Sequence, residues 1–185
     1  MRDGPLVLIA ISTFLFSLSA FAMTGEPSAF VVEPYVAYER GYLTQVGIPE
    51  ITTSGPAYGA RIGYRLWGFG LGVDGVMGSQ TTSQLSQSGD FRPFDLGAFV
   101  NVTVLTNFKL YGSYFIRTWA TIMSSQNPES FSGSGYRVGV AWKAMTFLDV
   151  GLETTGRTYS NYDGNSISNA LWSSTVSLSL AFPIL

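Results

Sequence analysis

Apolar and polar residues alternate with a period of two from Phe30 to the C-terminus, and the phase changes only where turn residues intervene. The pattern divides into eight stretches. The first sets Phe30, Val32, Val36 and Tyr38 against Glu33, Tyr35 and Glu39. The second sets Tyr58, Ile62 and Tyr64 against Gly59, Arg61, Gly63 and Arg65, and the third sets Phe69, Leu71, Val73 and Met77 against Gly70, Gly72 and Asp74. The fourth opposes Phe94, Leu96 and Val100 to Asp95, Gly97 and Asn101. Phe108, Leu110, Tyr114 and Ile116 oppose Lys109, Ser113 and Arg117 in the fifth. Tyr136, Val138, Val140 and Trp142 oppose Arg137, Gly139 and Lys143 in the sixth. Leu148, Val150 and Leu152 oppose Asp149, Gly151 and Glu153 in the seventh, and Trp172, Val176, Leu178, Leu180 and Phe182 oppose Ser173, Thr175, Ser177 and Ser179 in the eighth. Each stretch has the roughly nine to eleven residues that a tilted strand needs to cross a bilayer.

The face of this alternation that looks inward decides the class. Charged residues are only 12% of the chain and aromatics are 15%, too few charges and too many rings for a water-facing surface. Downstream of the N-terminal segment, no apolar run reaches the roughly 18 residues of a spanning helix, so a membrane form of this chain must be a closed barrel, which leaves no strand edge unpaired in lipid. The glycine-rich face carries six acids, Glu33, Glu39, Asp74, Asp95, Asp149 and Glu153, and six bases, Arg61, Arg65, Lys109, Arg117, Arg137 and Lys143. Equal and opposite charges interspersed with glycine suit a crowded, ion-paired interior, since buried charges persist only when paired. Facing them to lipid would cost about 2 to 4 kcal/mol each near the midplane. The expected fold is therefore an all-β, eight-stranded antiparallel up-and-down transmembrane barrel with a salt-bridged polar interior. A soluble lipocalin-like carrier, with the apolar side inward, is the competing arrangement. Rings near the strand ends of the outward face, Tyr38, Tyr58, Trp67, Phe69, Trp142, Trp172 and Phe182, suit the headgroup level of a membrane.

The N-terminus reads as an export address. Arg2, the apolar run Leu6 to Leu18, and Ala20-Phe21-Ala22 supply the positive, apolar and cleavage regions of a signal peptide over residues 1–22, which leaves 23–185 as one barrel domain. Polar segments follow the odd-numbered stretches (Arg40 to Ser54, Ser79 to Arg92, Thr118 to Gly133, Arg157 to Asn169), while tight turns follow the even ones. That asymmetry predicts four long extracellular loops, short periplasmic turns and periplasmic termini.

With these features and the terminal segment Val176-Ser-Leu-Ser-Leu-Ala-Phe-Pro-Ile-Leu185 in view, the chain resembles the small outer-membrane barrels typified by the OmpA membrane domain and OmpX. The resemblance implies a bacterial outer-membrane location among lipid and lipopolysaccharide, delivery by periplasmic chaperones, and insertion by the barrel assembly machinery. Members usually end in an aromatic residue, whereas this chain ends Phe182-Pro183-Ile184-Leu185.

Catalytic readings find little support. Enzymes of this barrel type typically use a histidine, and the chain has neither His nor Cys. Asp74 and Asp95 on adjacent strands form a conceivable carboxylate dyad, with structural ion pairing the stronger reading. Gly70-Leu-Gly72-Val-Asp-Gly75 matches a dinucleotide fingerprint literally, but no helix follows it. No cofactor or metal is expected, and a net charge of −2 offers no field for nucleic acid. The expected function is a non-catalytic monomeric barrel that serves envelope integrity or meets a partner surface through its four loops. A narrow channel is the alternative within the same fold.

Overall fold

In the computed structural model, residues 28–45, 48–84, 87–104, 107–123, 128–162 and 165–184 are described, with side chains left aside at 43–45, 48–50, 84, 87–88, 128, 166–172, 174 and 183–184. The export segment predicted over residues 1–22 lies outside this range. Ten strand segments follow in order: β1 (Ala29–Gln45), β2 (Ile48–Leu66), β3 (Phe69–Gly78), β4 (Gln80–Gln84), β5 (Gln87–Val104), β6 (Phe108–Met123), β7 (Pro128–Met145), β8 (Leu148–Tyr162), β9 (Asn165–Leu180) and β10 (Phe182–Ile184). They make eight staves. β3 and β4 are one strand interrupted at Ser79, and β9 and β10 are one strand interrupted at Ala181. At both breaks the chain stays in the ladder, since the Ser79 amide donates to the Pro56 carbonyl and the Ala181 amide to the Phe147 carbonyl, each at 2.9 Å. Every stave pairs antiparallel with its sequence neighbours, and β1 pairs with both β2 and β9, which closes the ring.

One rim of the barrel carries the tight turns. Trp67 and Gly68 connect β2 to β3 with φ of 49° and 81°, both in the left-handed region that a two-residue type I′ hairpin turn requires. A bulky residue is unfavourable there, so Trp67 is held by the turn rather than by its own preference. Thr146 and Phe147 make the turn between β7 and β8, one to two residues beyond the expected Ala144 to Thr146.

The opposite rim departs from the sequence expectation. The four segments read as long loops are largely strand. β1 runs through Arg40 to Gln45 before β2 resumes at Ile48, β4 and the start of β5 occupy Ser79 to Arg92, β6 and β7 reach Met123 and Pro128, and β8 and β9 reach Tyr162 and Asn165. The reason is physical. The outward positions here, such as Thr81, Ser83, Thr158 and Ser160, are β-compatible but polar, so apolar alternation fades while backbone pairing continues. Of the uninterrupted staves, several have 16 to 19 residues, well beyond the roughly 9 to 11 that span a bilayer, so the wall stands clear of its apolar belt on this tip side.

Burial along the strands alternates in the sense opposite to a soluble carrier. Val36, Ile62, Leu71, Val73, Val100, Ile116, Val138, Leu152 and Val176 are exposed on the outside, while Glu33, Glu39, Asp74, Asp95, Arg137 and Glu153 are buried inside. Rings share the lumen with these ions, among them Tyr35, Phe99, Tyr111 and Phe115, and small residues make the space. Gly63 and Gly72 face one another across β2 and β3. A Cβ on Gly72 would run into the Ile62 carbonyl oxygen and come within 2.8 Å of the Phe99 ring. Gly75, one pleat further on, faces outward, where a Cβ would meet only Leu96 at 3.8 Å. Gly72→Ala is therefore expected to destabilise the barrel by about 1 to 3 kcal/mol, the range for overpacking, and Gly75→Ala to be neutral within roughly 0.5 kcal/mol. Urea unfolding of the two variants in lipid vesicles checks the contrast.

Candidate functional site

The lumen is where this sequence concentrates its ionisable chemistry, because strand parity sends alternate residues of eight staves toward one axis. Arg61 on β2 is the hub of the layer nearer the turn rim. Its Nη1 donates to Glu33 at 3.0 Å and its Nη2 to Glu153 at 3.4 Å, while Nε lies 3.5 Å from Asp74. The guanidinium carbon also lies 4.5 Å from the Tyr35 ring centre and 4.3 Å from that of Tyr111, within cation–π range of both. Lys109 bridges Glu33 at 2.8 Å and Asp149. Arg137 pairs with Glu153 at 3.1 Å and donates at 2.7 Å to the Tyr35 hydroxyl, which in turn donates at 2.9 Å to Asp74. Ser113 adds a 2.6 Å hydrogen bond to Asp74.

A second layer lies toward the tip rim. Arg157 on β8 donates to Asp95 on β5 through Nε at 2.9 Å and contacts it through Nη2 at 2.8 Å, and it also binds Glu39 on β1. Ser173 on β9 donates to Glu39 as well. One guanidinium thus ties three staves on different sides of the barrel. Tyr35, Ala57, Val76 and Phe115 pack together in the lumen as an apolar cluster. A further cluster of Phe91, Ala120, Phe131 and Tyr159, flanked by Ile51, Ile122 and Tyr162, plugs the tip end. The rings of Phe131 and Tyr159 stand 5.7 Å apart. At the turn rim, a small cavity is lined by Glu33, Arg61, Arg65, Phe99, Asn101 and Lys109.

Nine of the twelve residues predicted for the lumenal network meet in these two layers: Glu33, Glu39, Arg61, Asp74, Asp95, Lys109, Arg137, Asp149 and Glu153. Arg65 and Lys143 occupy inward positions near the turn rim and are half-buried. Arg117 is a correction. Leu96 pairs with Arg117 but Gly97 pairs with Phe115, and on the other side Phe115 pairs with Gly135 but Thr118 with Gly133. The extra residue makes a β-bulge that turns both Ile116 and Arg117 outward and gives the inward place to Thr118, which is fully buried. Glycine at 97 permits it, because a Cβ there would collide with the Tyr114 carbonyl oxygen.

Arg157 is the converse case. The sequence pattern places it in a loop, yet it is 2% exposed and central to the tip-side layer. The signal was present: Glu153, Thr155, Arg157 and Tyr159 continue one parity without a break, and all four are buried. Asp74 and Asp95 do not form a dyad, since Asp74 belongs to Arg61, Arg137, Tyr35 and Ser113, and Asp95 to Arg157. Among the described residues no group of His, Cys, Asp or Glu is placed to hold a metal ion. Gly70-x-Gly72-x-x-Gly75 lies within β3. Tyr38, Tyr58, Trp67, Phe69, Trp142 and Phe182 are exposed on the outer wall, while the side chain of Trp172 lies outside those described.

No family model and no curated protein matches this sequence. Solved structures do match. The chain is similar to Ail, the attachment invasion locus protein of Yersinia pestis, at 14% identity and a TM-score of 0.59, over 83% of this chain and 99% of that one. Ail in complex with the heparin analogue sucrose octasulfate matches at 12% identity with the same score and coverage. Neisserial surface protein A matches at 15% identity and a TM-score of 0.59, over 85% of this chain and all of that one. At such identities the likeness is one of fold, and the fold is that of small eight-stranded outer-membrane barrels.

Removing a lumenal guanidinium leaves its carboxylates buried and unpaired. Arg157→Ala is expected to cost about 3 to 5 kcal/mol, whereas Arg117→Ala, at an exposed position, should stay within roughly 0.5 kcal/mol. Equilibrium unfolding followed by tryptophan fluorescence separates the two.

Proposed function

We propose that this protein is a non-catalytic integral barrel of the bacterial outer membrane, exported through a signal peptide over residues 1–22 and inserted as the domain 23–185, whose tip side meets a partner surface or supports the envelope. The observation that carries the reading is the inside-out wall: apolar side chains outside, six paired acids inside, and no face suited to water over the middle of the barrel. Burying that outer face in hydrocarbon removes it from water while the ions stay paired inside.

Two features favour presentation over transport or catalysis. The ion layers and the ring cluster of Phe91, Phe131 and Tyr159 fill the lumen above the small cavity at the turn rim, as expected of a barrel this narrow. Each of the six lumenal carboxylates is engaged by an arginine or lysine, which leaves none as a poised base. The tip side, by contrast, raises polar hairpins on a stiff paired base. Among the fold relatives, Ail is an attachment invasion protein that has been captured with a heparin analogue. That is consistent with contact at the tip rim here, through shape and hydrogen bonding by its Ser, Thr and Tyr side chains.

Replacing residues 44–50, 84–87, 124–127 and 162–165 by two-residue Asn-Gly turns shortens all four hairpins above their last flanking pairs. The trimmed protein should still migrate faster in gels before boiling than after, and still fractionate with membranes, while adhesion of intact cells to a partner surface is lost. Adhesion at the level of the untrimmed protein overturns the presenting role, and a soluble protein without the gel shift overturns the membrane reading.

A further inference from the structure

Among the described side chains that face outward along the wall, the charged ones are Arg40, Asp90, Arg92 and Arg117. All four stand at the tip-side edge of the apolar belt and three are cationic. Arg92 on β5 and Arg117 on β6 bracket a cross-strand ring pair, Phe94 and Trp119, whose centroids are 5.5 Å apart. The Arg117 guanidinium lies 5.8 Å over the Trp119 ring. Ser132 is the partner of Trp119 on β7, and Ser134 stands opposite the bulge, so hydroxyls border the pair on the far side. The neighbouring acid, Asp90, is 3.6 Å from Arg92, so the two arginines and this acid leave the patch with a net charge of +1.

Below this patch the outward side chains carry no charge. Leu96, Tyr114 and Ile116 are exposed, and Ala98 and Gly112, each facing a larger partner (Tyr114 and Val100), carry little or no side chain. A Cβ on Gly112 would meet only the Arg137 carbonyl oxygen at 3.7 Å, so the outer surface there is open. Two guanidinium forks and an indole above an uncharged, largely apolar wall match a molecule that is anionic at one end and hydrocarbon at the other. Arginine is suited to phosphate by its planar pair of donors, and tryptophan to the headgroup level by its polar edge.

We propose that Arg92, Arg117 and Trp119 form a docking site for the phosphate groups of an anionic lipid headgroup, with the acyl chains lying down the outer wall of β5 and β6. This rests on the membrane reading above and adds to it a specific lipid contact, made on the side of the barrel that the β6 bulge exposes. Turning Arg117 out of the lumen is what creates it.

The test uses the full mature protein refolded in a non-ionic detergent, with the gel shift as the check of folding. It is mixed with diphosphoryl lipid A or with the same lipid stripped of its phosphates, separated by size, and the lipid retained per barrel is measured by mass spectrometry. The wild-type protein should retain the phosphorylated lipid preferentially, less so as salt is raised. R92Q/R117Q should lose retention by roughly tenfold or more, as expected for two cations at a membrane surface, with the gel shift unchanged. Arg40→Gln, on the opposite side of the barrel, should have little effect. Equal retention of both lipids, or unchanged retention by R92Q/R117Q, overturns the site while the membrane reading stands. Displacement by millimolar inorganic phosphate identifies a free-anion site and also overturns it. Failure of the wild-type protein to show the gel shift overturns both.

Discussion

Paired burial of charge inside a narrow closed wall is the constraint on which the rest of this structure depends. A lumenal guanidinium such as Arg61 or Arg157 cannot be solvated by bulk water, so it must be met by carboxylates from several staves at once. Arg157 joins β8 to β1 and β5, and Arg61 joins β2 to β1, β3 and β8. Glu33 and Asp74 are direct cross-strand neighbours of Arg61, but its tie to Glu153 and both ties of Arg157 join staves that backbone hydrogen bonds do not connect. They fix which staves face one another, and they fill the interior with groups that need the ring closed around them.

The outer wall follows from the same arrangement read from the other side. With the ions inside, the alternate positions are left to valine, leucine and aromatic residues, which form a belt suited to hydrocarbon. Above it the pairing persists while the outward residues become serine and threonine. The hairpins at the tip rim are therefore extensions of the barrel rather than independent loops, and they are anchored by rings on their inner face, Phe91, Phe131 and Tyr159. A surface built this way is stiff near its base, so ordering it costs little conformational entropy.

Most of the architecture was legible because alternation is a local property of the chain. The strands, their number, the glycine-rich inward face and nine members of the ion network all come from parity alone. Parity fails where a residue is inserted without a turn. The bulge at Ile116 and Arg117 shifts the phase within β6, and nothing in the side-chain pattern marks it, because isoleucine followed by arginine looks like ordinary alternation. The loop boundaries differ for another reason: polar residues on the outer face mimic irregular backbone, although the inner face keeps its buried parity through Thr155, Arg157 and Tyr159.

The amino-acid sequence by itself determined that this chain closes a sheet with its ions on one face and its grease on the other, since period-two order, charge balance and the lack of a long apolar run downstream of residue 22 leave few other solutions. It could not determine which cation meets which anion, because those partners lie as many as 118 positions apart and are brought together only by the order of staves around the ring. Tertiary structure also decided the exchange of Arg117 for Arg157. Exchanging Arg117 for Arg157 leaves the predicted set at six bases against six acids, but close strand contact at Gly97 places one arginine outside, and a continued hairpin carries the other in.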